Sequence, residues 1–218
     1  MSIVNKILFC FIVLLACSCQ QAKEKQSVEA SKQAKFIGAK DEVKIMTLDP
    51  GHFHAALVQK FMYEQVDSIV NVFAPNGLDV DGHLARIEGF NNRVDNPTSW
   101  KEKVYRGNDF FERMIAEKPG NVMIVSGNNA KKTEYILNAV KEGINVLADK
   151  PMIISPEKFE QLKEAFEVAE ENGVLLYDIM TERYEISTIL QKNLSQIPNV
   201  FGQLEEGSLE NPSVTKES

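Results

Sequence analysis

Residues 144–152 read Ile144-Asn145-Val146-Leu147-Ala148-Asp149-Lys150-Pro151-Met152. An apolar run interrupted by one asparagine ends abruptly in acid, lysine and proline. Such a run predicts a buried strand, and proline stops it because it has no amide hydrogen to give a sheet. In open parallel α/β sheets, ligands bind outside the carboxyl ends of the strands. Lys150 therefore stands where chemistry is usually done and is the leading functional candidate.

Outward from this strand, the pattern alternates. Upstream, Val43–Leu48, Ser68–Ala74, Val104–Tyr105 and Asn121–Ser126 read as strands, and Val174–Tyr177 follows. Between them Phe53–Gln65, 79–91, Asp109–Glu117, Ala130–Glu142 and a segment from Pro156 to Glu171 carry helical spacing. Asp109 (or Asn108) and Ser155 are the expected caps, and Gly143 and Asn172-Gly173 the expected stops. Strands alternating with helices predict a doubly wound parallel sheet of Rossmann-like α/β type over 42–180, with right-handed crossovers placing helices on both faces.

The ends read differently. Lys6 precedes the apolar run Ile7–Ala16, which is too short for a mature membrane span and closes in Leu14-Leu15-Ala16-Cys17-Ser18-Cys19. Residues 1–19 resemble a bacterial lipoprotein signal, with Cys17 the expected lipidated residue and Cys19 the alternative; an ordinary signal peptide or short anchor is the plainer reading. All three cysteines of the chain lie here, so a disulfide framework or thiolate metal site is not expected in the fold. Residues 20–41 are polar and read as a tether. Residues 181–218 read as the start of a second α+β domain that is not complete.

The chain has 218 residues, 44% of them hydrophobic and 25% charged, with a formal charge of −7. That is globular composition without a basic patch, so nucleic acid is a poor partner.

A dinucleotide fold places its phosphates at the first strand-turn-helix, usually over GxGxxG. Here that window is Asp49-Pro50-Gly51-His52-Phe53-His54. Gly51 matches the second glycine, and Asp49 in the first slot would repel phosphate. The end of the second strand should offer an acid to ribose hydroxyls; Asn76 stands there, with Asp79 and Asp81 further on and no basic residue directly following, which favours NAD over NADP. His52 is expected to cap or contact ligand, and His54 to pack on the sheet. The pair lacks a third nearby histidine or cysteine, His83 being distant, so no metal is expected. Ser126, Asn128 and Asn129 form a polar loop after the Asn121 strand, either a ligand loop or a helix cap. For Lys150 the plainer alternative is a solvated ion pair with Asp149.

Residues 126–152 resemble the Gfo/Idh/MocA family of glucose–fructose oxidoreductase and inositol dehydrogenase type, and a lipoprotein branch of it. Asn129, Ala139, Gly143, Val146, Lys150 and Pro151 match its loop, helix and Glu-Lys-Pro pattern; Asp149 replaces the glutamate, Asn128 the loop proline, and Lys132 a frequent histidine. The resemblance spans about 42–184. It implies a nicotinamide cofactor and hydride transfer with a sugar-like alcohol. Lys150 takes the catalytic position, and Gly51, His52, Phe53, Asn76, Ser126, Asn128, Asn129, Asp149, Lys150 and Pro151 surround the cofactor. Arg183 is the candidate, with Lys150, to reach substrate. The protein is expected to be exported and lipid-anchored at a bacterial membrane or cell surface, with a homo-oligomer among the full-length forms it allows, and to need its remaining domain for turnover. A redox-neutral NAD-dependent glycosidase and a non-catalytic carbohydrate-binding lipoprotein are the alternatives.

Overall fold

The computed structural model describes residues 36–179, 182, 184–203 and 205–215. Cys17, Cys19, most of the expected tether and Arg183 lie outside the described residues. By contact the chain divides into two units, Met1–Ile179 and Met180–Ser218.

The first unit is built on six strands, all parallel: β1 (Ile45–Leu48), β2 (Ile69–Ala74), β3 (Lys101–Arg106), β4 (Val122–Val125), β5 (Asn145–Ala148) and β6 (Leu176–Asp178). Their spatial order is β3-β2-β1-β4-β5-β6. The chain steps outward from β1 to β3, then returns to the other side of β1, where Leu48 pairs in register with Val125. The strand order reverses between β1 and β4, which opens a crevice at their carboxyl ends. This is the doubly wound sheet the alternation predicts.

Side chains alternate across the strands and build two cores. Met46, Leu48, Phe73, Met123, Val125, Val146 and Ala148 pack with Phe110 and Met114 of α3 (Phe110–Glu117), Tyr135 and Ile136 of α4 (Asn129–Lys141), and Ala165 and Ala169 of α5 (Phe159–Asn172). On the alternate positions Ile45, Val70, Val72 and Ile124 pack with Ala55 and Ala56 of α1 (His54–Leu57) and Val80 and Ile87 of α2 (Leu78–Asn92). A strand covered on both faces reads as a near-continuous apolar run, which is why β4 is Val-Met-Ile-Val and β1 is apolar but for the buried Thr47.

Two elements and two helix caps depart from expectation. The first helix is one turn, not the span Phe53–Gln65. The Gln59 carbonyl accepts from Trp100 Nε1 at 2.6 Å, and the Lys60 carbonyl from Arg93 Nη2 at 2.6 Å. Both acceptors are thus taken by side chains, and the chain turns extended beside Val43, which bridges Val66. Strand β3 is six residues long, not two. It is the sheet edge, and its largely exposed Lys-Glu-Lys-Val-Tyr-Arg sequence has no apolar run to reveal it. The expected caps Asp109 and Ser155 precede their helices, but neither side chain accepts from a helix amide; Asp109 instead accepts from the Tyr105 hydroxyl. Gly173 ends α5 at φ +66°, the left-handed stop that glycine adopts cheaply.

The second unit carries α6 (Ile186–Ser195), capped by Glu185 accepting from the Thr188 amide, and the single turn α7 (Pro198–Phe201). Among the described residues no helix is long and apolar enough to cross a membrane.

Candidate functional site

The loops after β1 and β4 meet backbone to backbone at the crevice. Gly127 has φ +135°, and a Cβ there would stand 2.5 Å from the Gly51 amide nitrogen. A Cβ on Gly51 would lie 3.3 Å from both Gly127 Cα and Asp79 Oδ2. The two glycines are needed because the protein's own loops approach this closely. The Gly51 amide donates to the Asp49 carbonyl and the His52 amide to the Ser126 carbonyl, each at 2.9 Å. Asp49 and Asn128 both sit in the left-handed region, at φ +45° and +39°, where Asp and Asn are tolerated better than other side chains. Asn128 Nδ2 donates to Asp49 Oδ2 at 2.9 Å and ties the two loops together. Burial raises the Asp49 carboxyl above its usual range; the hydrogen bond from Asn128 opposes this, and the charge of Asp79 adds to it.

Beneath these loops lies a network centred on Asp149, which is 2% exposed. Its Oδ1 lies 2.7 Å from His54 Nδ1 and its Oδ2 accepts from Ser126 Oγ at 3.1 Å. His52 Nδ1 is 3.0 Å from Oδ2, close enough for an ion pair but not aligned as a hydrogen bond. Lys132, fully buried, donates from Nζ to the Asp149 carbonyl at 3.1 Å and to Asn129 Oδ1 at 2.7 Å. A carboxylate is costly to bury unless it is paired and hydrogen-bonded. Burial alone would raise the Asp149 pKa, but hydrogen bonds from His54 and Ser126 and the charges of His54 and Lys132 hold it below its usual value. Lys132 is shifted down by burial, with Asp149 working against that shift.

Lys150 follows directly and is exposed, with a cis peptide to Pro151. Asp149 spends its carboxylate on the histidines and serine, so the simple Asp149–Lys150 ion pair is not what forms. Phe53 is half exposed, its ring 4.5 Å from that of His52. Asn76 lines a cavity of about 270 Å³ at the carboxyl ends of β1 and β2, together with Asp49, Gly77 and Asp79. Ser126, Asn128, Asn129 and Asp149 are thus drawn into one hydrogen-bonded cluster with His52 and His54, while Asn76 lies in the neighbouring cavity.

Two members of this cluster escaped the sequence reading. His54 is not simply packed on the sheet; it is a partner of Asp149. Lys132 stands in the sequence where the family often has histidine, and in the fold it is a buried charge. Its signal was periodicity: Lys132, Tyr135, Ile136, Ala139 and Val140 share the buried stripe of α4. A lysine at the head of such a stripe must find a partner.

The ligand atoms of His52, His54 and Asp149 lie within 4.8 Å of one another, so the third donor that sequence spacing did not supply comes from the residue that follows β5. These donors are engaged with each other, and Lys132 stands beside them. The arrangement reads as a hydrogen-bond network.

The model of the oxidoreductase family with an NAD-binding Rossmann fold matches residues 50–178. A search of curated proteins finds no match. Among solved structures, a protein from Parabacteroides merdae classed with the oxidoreductases is 59% identical, at a TM-score of 0.76; the alignment covers 81% of this chain and 40% of that one. The chain therefore spans less than half the length of this relative. The WlbA dehydrogenase of Bordetella pertussis, solved with NADH and UDP-GlcNAcA, is 13% identical at TM-score 0.52, covering 72% of this chain and 41% of that one. The scyllo-inositol dehydrogenase of Lactobacillus casei is 14% identical at TM-score 0.52, covering 74% and 44%. These last two share the fold. With the family model covering more than half of the chain, this chain belongs to the Gfo/Idh/MocA oxidoreductase family, and residues 50–178 are its NAD-binding Rossmann domain.

Proposed function

We propose that this chain is the cofactor-binding part of an NAD-dependent oxidoreductase that moves hydride between the nicotinamide and a hydroxyl-bearing carbon of a sugar-like alcohol. The observation that carries this reading is Lys150: it is exposed at the carboxyl end of β5, next to a strand end anchored by the Asp149 network. The cofactor, when bound, supplies the hydride acceptor. Asn76 and Asp79, beside the 270 Å³ cavity, would hold ribose hydroxyls, the carboxylate accepting from them and the amide able to donate or accept. Lys150 would hold the substrate oxygen. NAD is favoured over NADP because Arg106, in register with Ala74, has its guanidinium 2.7 Å from the Asp81 carboxylate and so is already engaged.

Export and lipidation at Cys17 complete the reading, with a polar tether carrying the domain off the membrane. Mass spectrometry of membrane-extracted protein tests this: a diacylated N-terminal Cys17 is expected, and an unmodified chain beginning after Cys19 refutes it.

Calorimetry of this chain with NAD is the primary test. Micromolar or tighter binding is expected, weakened by Asp79→Ala. One observation favours a non-catalytic module instead: the Gly51 and His52 amides are spent inside the protein, and Asp49 and Asp79 place acid where phosphate would approach. No heat with NAD, alongside binding of a sugar, would establish that second reading.

A further inference from the structure

The Asp149 cluster holds more acid–base chemistry than cofactor binding calls for. His54 and His52 both turn their Nδ1 edges toward one buried carboxylate, at 2.7 and 3.0 Å. The other ring nitrogen, Nε2, then lies on the opposite edge of each imidazole. The His54 side chain is 10% exposed and the His52 side chain 36% exposed, so His52 is the more open of the two. His52 is also fixed from behind, because its amide donates to the Ser126 carbonyl at 2.9 Å and its own carbonyl faces Ser126 Oγ at 3.4 Å.

We infer that His52 and Asp149 form a general acid–base pair at the mouth of the crevice, with Nε2 of His52 the proton-exchanging atom. An Nδ1–H directed at a carboxylate fixes the neutral tautomer and leaves the Nε2 lone pair free to accept. The contact at His52 is close but not yet aligned, as is common for catalytic hydrogen bonds before ligand binds.

The inference rests on the hydride-transfer reading of the same site. When an alcohol carbon gives its hydride to the nicotinamide, its hydroxyl proton must leave too, and a lysine ammonium has donors only. The O–H bond breaks, the C=O bond forms, and the proton goes to His52 Nε2; the reverse direction returns it. Burial lowers the His52 pKa; of the groups facing it, Asp149 from the end of β5 opposes this by favouring the imidazolium, and His54, Lys150 and Lys132 add to it.

Nitrogen-resolved NMR of this chain tests the pair without cofactor. The expected result is His52 and His54 in the Nδ1–H tautomer, with Nε2 of His52 titrating, and a lower titration point in Asp149→Asn because the favouring carboxylate is gone. His52 as the Nε2–H tautomer, or a titration unmoved by Asp149→Asn, overturns the inference. So does one equivalent of Zn²⁺ bound through both histidines, which would make the cluster a metal centre. Should Asp149→Asn unfold, Ser126→Ala keeps the pair and retains the wild-type tautomers; loss of the Nδ1–H tautomer at His52 in that variant also overturns it. In turnover of a polyol by the full-length protein, His52→Gln should lower kcat about 100-fold and abolish the acid limb of the pH profile. An unchanged profile refutes the pair; absence of NAD binding with the tautomers intact refutes the hydride reading alone.

Discussion

Gly127 lies so close to Gly51 that a single added methyl at Gly127 would stand 2.5 Å from the Gly51 nitrogen and 2.6 Å from its Cα. The obstruction is backbone on both sides, and Gly127 also needs φ +135°. Gly127→Ala should therefore cost about 3 kcal/mol, combining overpacking with backbone strain. Gly51→Ala meets its neighbours at 3.3 Å, where the Asp79 side chain can move, and should cost about 1 kcal/mol. Urea unfolding of the two variants checks the order. Equal costs would mean that the loops part readily.

Lys132 and Asp149 make up the buried charge beneath those loops. Stranding one buried charge outright typically costs about 3–5 kcal/mol, and here each keeps its hydrogen bonds but loses the opposite charge, so the cost lies at the lower end. Lys132→Met and Asp149→Asn should each cost about 3 kcal/mol. The double variant should cost clearly less than their sum, since neither charge is then stranded. A double-mutant cycle by denaturant unfolding measures this, and strict additivity would show that the two charges do not depend on one another.

Trp100 ends the first helix by taking the Gln59 carbonyl at 2.6 Å, while its 4% exposed ring fills the core beside Ala55 and Ile87. Trp100→Phe keeps an aromatic ring and loses the donor. It should cost about 1–2 kcal/mol, the penalty of an unmade hydrogen bond at a buried acceptor plus some lost packing. Amide exchange at Gln59 and Lys60 should quicken as the turn loosens. Unchanged exchange would assign the helix end to Arg93 alone.

The order of strands and helices was legible because the buried strands read as apolar runs and Gly173 marks a stop. The family's Lys150-Pro151 was legible for the same reason: it interrupts a run that should otherwise continue. What stayed hidden depends on contacts between distant residues. The short α1 looked like a long helix because its true terminator, Trp100, is 41 residues away from the carbonyl it holds. Edge strand β3 has no apolar signature because it has little to bury. His54 looked like packing because its partner, Asp149, lies 95 residues on. Lys132 alone left a local trace, a charge in an apolar stripe, and that trace called for a partner without naming it.

His83 and Glu102 set opposing pH dependences on the stability of the fold. His83, on α2, is 1% exposed, and neither ring nitrogen has a hydrogen-bond partner among the described residues. Burial lowers its pKa from 6.5 to about 4. The unfolded chain takes up a proton below pH 6.5 that the folded chain refuses until about pH 4, so stability falls as pH drops through that window. Glu102, on β3, is raised by burial from 4.5 to about 7, against a hydrogen bond from Gln59 Nε2 at 2.6 Å. The unfolded chain releases its proton above pH 4.5 while the folded chain keeps it until about pH 7, so stability falls as pH rises through that window. Each shift is worth roughly 3 kcal/mol by linkage. Between pH 4.5 and 6.5 the two slopes oppose, and the wild-type chain should show little change from this pair. Separating them exposes each one. Glu102→Gln keeps an acceptor for Gln59 and should leave stability rising by roughly 3 kcal/mol from pH 4 to 6.5. His83→Leu should leave it falling by a similar amount from pH 4.5 to 7. Urea midpoints at half-unit pH steps measure all three profiles; parallel profiles for wild type and both variants would show that neither group titrates differently on folding.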